Sequence, residues 1–227
     1  EKHQFKHAVK DFVGESLPLK KEQGVKAFAV CSKYDEFDPQ KKLSPFILRT
    51  YESPNKQDAL DGTCDIDFPS ACHATSSIPG MVDLLKINHN GEKVVLADGY
   101  FVANAPVAIA IKEAQQLWPR RKIGVVLSLG LDPSSCEIVH RPIDLARLHS
   151  PDLVFHRVLA FDALRGHNNL KHNQESNSLL ESKTKHFIRN SHGERMLLKK
   201  TFDALASRDA KTSSKLHHRV GDDRDMW

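Results

Sequence analysis

The sequence predicts an α/β fold built on a parallel sheet, and three observations point to it. Short apolar runs suited to buried strands recur as "GVKAFAVCS", "PFILRTYES", "KVVLADG" and "KIGVVLSLG". Between the last two lies "PVAIAIKEAQQLW", an amphipathic helical pattern that opens on Pro106. Strand, helix and strand in that order, with strands apolar on both faces, is the pattern of a sheet covered by helices on both sides.

The elements follow one another in this way. The chain opens on the end of a helix, Phe5 to Phe12, closed by a Gly-containing turn. The first two strands come next, the second flanked on each side by a charged loop containing proline. From Phe68 to Ser76 the spacing is helical: Pro69 is acceptable in a first turn, and Ala71, Cys72 and Ala74 are small enough for close packing. "TSSIP" ends that helix, and the third strand, the amphipathic helix and the fourth strand follow. Beyond about residue 140 the strands are expected to stop. "PIDLARLHSPDLVFHRVLAFDAL" has helical spacing broken at Pro151, "RGHNNLKHNQESNS" is linker-like, and a last helix runs from about Leu179 to Leu205 with an interruption near Ser191 to Gly193. The polar end, "SRDAKTSSKLHHRVGDDRDMW", is expected to be disordered. The expected organisation is therefore an α/β part over 1–138, a helical extension over 139–205 and a tail over 206–227.

Composition narrows the function. A chain of 227 residues can bury a substantial core. Its net charge of +4 is modest and its basic residues are interspersed with acidic ones, so a nucleic-acid partner is not expected. Four cysteines without CxxC spacing read as reduced thiols, which favours a cytoplasmic or peripheral membrane location. No apolar run approaches the roughly 18 residues needed to cross a bilayer. The chain lacks an initiator Met and begins in mid-pattern, so it is read as part of a longer protein.

The third strand ends on a carboxylate, Asp98. Ligands and chemistry in open α/β sheets gather at the carboxyl ends of strands, and an ionised carboxylate is costly to desolvate without a partner. Gly99 permits a sharp turn and the close approach of another backbone. Asn104 can cap or form an Asx turn, and Pro106 presets the first turn of the next helix. On these features Asp98 is either a turn residue, since Asp-Gly is common in turns, or a functional carboxylate held rigidly.

The run "ACHATSSIPGMV... KVVLADGYFVANAPVAIAIKEAQQLWPRRKIGVVLSLG" resembles the second half of the patatin-like phospholipase domain. The counterparts of that family's motifs are Ala74-Thr75-Ser76-Ser77-Ile78-Pro79, Asp98-Gly99-Tyr100, Asn104-Ala105-Pro106 and Ser128-Leu129-Gly130, and the likeness covers roughly residues 8 to 135. The resemblance implies a three-layer, lysophospholipase-like α/β domain that hydrolyses acyl esters of lipids with a Ser-Asp dyad. Asp98 would be the base, with Gly99, Asn104 and Pro106 shaping its loop. The substrate would be a phospholipid or other acyl lipid met by peripheral contact with a membrane, with no metal or organic cofactor. The Ser would lie in a GxSxG elbow behind a Gly-rich oxyanion loop, and neither occurs in this sequence, so both are expected upstream of it.

The motifs depart from the family pattern at three points. Tyr100 stands where Gly or Ala is usual, Ala105 replaces a second Asn, and "SLGLD" lacks the usual Thr-Gly. The alternative is therefore a catalytically dead lipid-binding or scaffold protein of the same fold. Other candidates are weaker. Ser76 and Ser77 lie in a turn without flanking glycines and read as capping or packing residues. The 13 histidines include no HExxH pair, and "DGTCDID" lacks the Gly and Glu of a calcium loop. Lys112, Arg120 and Arg121 read as a solvated face, or as one touching lipid phosphates.

Overall fold

The computed structural model describes residues 9–12, 17–21, 23–34, 42–55, 57, 59–130 and 136–159, with isolated positions between 178 and 206, all helical. They fall into two compact units, one within 1–106 and 116–119, the other within 107–115 and 120–227. The linker and the polar tail anticipated from the sequence lie almost wholly outside the described residues.

The first unit is organised by five strands, β1 (Phe28–Tyr34), β2 (Ser44–Arg49), β3 (Gly62–Thr63), β4 (Leu85–His89) and β5 (Glu92–Asp98), in the order β3-β2-β1-β5-β4. β1 is antiparallel to both β2 and β5, β4 is antiparallel to β5, and β2 and β3 run parallel. The parallel pairing expected among the first three apolar runs is thus corrected to antiparallel. The reason is physical: a continuous apolar run reports that both strand faces are covered, and that holds here. Phe46, Ile47 and Leu48 are all buried, as are Val94, Val95, Leu96 and Ala97. Burial on both faces carries no information about strand direction.

One face of this sheet carries the core. Cys31, Phe46, Leu48, Val94 and Leu96 project against Ala71 and Ala74 of α1 (Phe68–Thr75), with Leu19 closing the cluster. The small α1 residues let the helix approach the sheet closely. Asp67 starts α1 by accepting a hydrogen bond from Ser70 N at 2.7 Å, and Pro69 sits in the first turn. β4 and β5 form a hairpin that the sequence reading had not foreseen. Asn90 (φ 54°) and Gly91 (φ 84°) are both left-handed, as a two-residue type I′ turn requires.

The second unit contains α3 (Val107–Leu117, of which 107–115 belong to it), β6 (Val125–Gly130), α4 (Cys136–His149) and β7 (Val154–Leu159). β6 and β7 pair in parallel from Val125↔Val154 to Gly130↔Leu159, with α4 as the crossover. The expectation that strands stop beyond residue 140 is overturned by β7. α4 ends just before Pro151, which disfavours the helical conformation of the residue preceding it. Buried Ser150 then fastens the turn, its Oγ accepting from Ile123 N at 2.9 Å, while Val154 N donates to Gly124 O at 3.0 Å.

Candidate active site

β5 stops at Asp98 because the chain must turn there, and Gly99 makes the turn possible. An ideal Cβ built on Gly99 would lie 2.2 Å from Val30 O of β1, a separation that no side chain can occupy. Gly99 is the N-cap of α2 (Tyr100–Ala103), a single turn that lies against β1 and β2. Its φ of −68° shows that close approach, rather than a left-handed backbone, is what demands glycine.

Three neighbours fix the position of Asp98. Its N–H donates to Ser77 O at 3.0 Å. Its carbonyl accepts from Ser32 Oγ at 2.7 Å. In the β1–β5 register it stands opposite Cys31. Ser32, Ser77 and Cys31 are fully buried, so the anchor points are shielded from competing water. The Ser77 hydroxyl in turn donates to His73 O (2.8 Å) and Asp83 O (3.0 Å), which places this serine in a packing role, and the Nε2–H of His73 donates to the same Asp83 carbonyl at 2.9 Å.

The Asp98 carboxylate is half-buried. Its Oδ1 accepts from Tyr100 N at 2.8 Å, an Asx-type bond that opens α2. Oδ2 has no hydrogen-bond donor among the described residues. The Oδ1 bond therefore orients the group. Burial first, and the Asp98 carboxylate second, push the Cys31 thiol pKa from 9.0 up to about 12.

A cleft of about 520 Å³ opens at this strand end. Asp98, Gly99, Asn104 and Pro106, the four residues singled out from the sequence, all line it, together with Val30 and Ile78. The Asn104 side chain makes no hydrogen bond to the described residues and is exposed, so the expected cap is absent. Pro106 immediately precedes α3, one residue earlier than its expected place in the first turn. Tyr100 is 64% exposed and meets Phe101 edge to face at 5.7 Å. Ser32 and Cys31 were not foreseen as part of the site, since "AVCS" reads only as buried strand. Among the described residues no group of three or more His, Cys, Asp or Glu is placed to hold a metal ion.

Over 75 residues the chain is 37% identical to Phospholipase A I of Arabidopsis thaliana. That stretch is 33% of this chain, and it spans about 5% of the length of the relative. No protein-family model matches the chain, and no solved structure does.

Proposed function

We propose that this chain is the second half of a patatin-like, three-layer α/β domain whose parent protein hydrolyses acyl esters of lipids. The observation that carries the reading is Asp98: a carboxylate at a strand end, with its backbone locked by buried groups and Oδ2 unengaged by described residues, in a largely apolar cleft. The similarity to a protein named a phospholipase supports the same class of chemistry.

In this reading a serine hydroxyl supplied by a preceding segment donates to Asp98 Oδ2. As the serine oxygen attacks the ester carbonyl, its proton passes to Asp98. The tetrahedral intermediate then expels the alcohol, which takes that proton, and an acyl-serine remains. Water, activated by the same carboxylate, releases the fatty acid and restores the serine. The Tyr100 N–H bond to Oδ1 keeps the carboxylate aimed, so the reaction does not wait on a side-chain rotation.

A second reading, a scaffold in which the dyad has decayed, draws on the same Asx-type bond together with Tyr100 and Ala105. A turn residue needs only the Oδ1 contact. The two are separated by assaying fluorogenic lipid esters with the 227-residue chain and with the chain joined to a preceding segment that carries GxSxG. The hydrolase reading expects turnover only in the joined protein, because loss of nucleophile and oxyanion donors costs several kcal/mol of transition-state stabilisation. Hydrolysis by the chain alone that Ser76→Ala or Ser77→Ala abolishes would place the nucleophile here and defeat the split reading. A folded joined protein without turnover would favour the scaffold.

A further inference from the structure

The second unit carries a groove of about 650 Å³ between α3 and α4 that the proposed hydrolase site does not use. Its shape follows from helical spacing. On α4, Arg141, Leu145, Leu148 and His149 share one face, and on α3, Ala108, Ile111, Lys112 and Gln115 share another. The floor is apolar: Ile111 and Ala146 are buried, and Pro142 lies beside them. Leu145 and Leu148 are 57% and 75% exposed, far more than leucines on a helix packed against its own core.

The charge of the rim is one-sided. Lys112 and Arg141 line the groove as cations, with His149 beside them, and no carboxylate does. None of the three has a counter-ion or hydrogen-bond partner among the described residues. Arg147, on the same helix, shows the contrast: it is paired with Asp144 at 3.2 Å. An apolar trough with cationic groups at its edge is complementary to one kind of molecule, a hydrocarbon chain that ends in an anion. The volume falls within the range of single small-molecule sites, about 300–1,000 Å³, and favours one chain over a bilayer surface.

We propose that the α3–α4 groove is a binding site for a single-chain anionic amphiphile of the fatty-acid class, its carboxylate held by Lys112 and Arg141 and its chain lying on Ile111, Leu145 and Leu148. The groove shares no lining residue with the cleft at Asp98, and binding there requires no hydrolysis.

Isothermal titration of the 227-residue chain with decanoate, decanol and decyltrimethylammonium tests it. Decanoate is expected to bind one per chain, with decanol about three- to fivefold weaker for want of the ion pair and the cation weaker still. Dodecanoate should bind roughly tenfold tighter than decanoate, the effect of burying two more methylenes. Arg141→Gln should weaken decanoate about three- to fivefold and leave decanol unchanged. Leu145→Ser should weaken both ligands. Both side chains are exposed and circular dichroism checks the fold; should the leucine variant unfold, the arginine variant carries the test alone. Absence of decanoate binding, equal affinity for decanoate and decanol, or indifference of decanoate to Arg141→Gln would overturn the proposal. Binding of an acidic amphipathic peptide without binding of decanoate would do the same.

Discussion

Two residues beside Asp98 make the sharpest demands on their surroundings. Gly99 passes so close to Val30 O that any side chain must push β1 and β5 apart. Gly99→Ala is therefore expected to cost about 2 kcal/mol or more, the scale of overpacking against backbone, read as a fall in the urea midpoint. An unchanged midpoint would show that the strands do not approach as described. Cys31, fully buried, holds its thiol up at about 12 against 9.0. Iodoacetamide at pH 8 should then leave Cys31 unmodified in the native protein and label it once the chain is unfolded. The linkage has a definite sign. A thiol whose folded-state pKa is raised contributes stability that is full below pH 9 and is lost as pH rises toward 12. Stability measured from pH 8 to 11 should fall less steeply in Cys31→Ala than in the parent sequence, and equal slopes would contradict the buried thiol beside a carboxylate.

Among the elements, the β4–β5 hairpin sets where Asp98 falls, since its register carries through Leu85↔Leu96 to the strand end. Gly91 at φ 84° pins that register. Gly91→Ala should cost about 1–2 kcal/mol and Gly91→Asn less, because asparagine tolerates the left-handed region. Equal thermal midpoints for the two variants would argue against the type I′ turn. The signal for this hairpin was present in the sequence as "HNGE", an Asn-Gly between two apolar runs, but β4 alternates half-buried and exposed positions over only five residues and is easily passed over. β5, α1 and α3 were legible to within a residue or two because each joins a clear period to a clear boundary residue. β7 was not. "LVFHRVLA" satisfies helical and strand spacing alike, and only its pairing with β6 decides between them. Strand direction was illegible for a different reason, since it depends on connections and not on which faces are apolar.

At the scale of the whole molecule, the described residues supply a strand-end carboxylate and a cleft, and the proposed catalyst needs a nucleophile and oxyanion donors from elsewhere in a longer protein. Asp98, Gly99, Asn104 and Pro106 line one cleft; the motif order placed them close together in the chain. What it did not anticipate is the support beneath them: the Ser32 hydroxyl on the Asp98 carbonyl, the Ser77 carbonyl on its amide and the Cys31 thiol opposite. Those contacts join segments far apart in the chain and leave no local pattern to read.

The most direct test is the rate of lipid-ester hydrolysis by the chain joined to a preceding segment that carries GxSxG, with Asp98→Asn compared against the unchanged sequence. Asparagine keeps the size of the side chain and the Oδ1 bond to Tyr100 N, so the fold and the turn should persist while basicity is lost. The kcat of Asp98→Asn is expected to fall at least about a hundredfold with an unchanged melting temperature. A folded Asp98→Asn protein that retains most of its activity would contradict it, and Asp98 would then be a turn residue and nothing more.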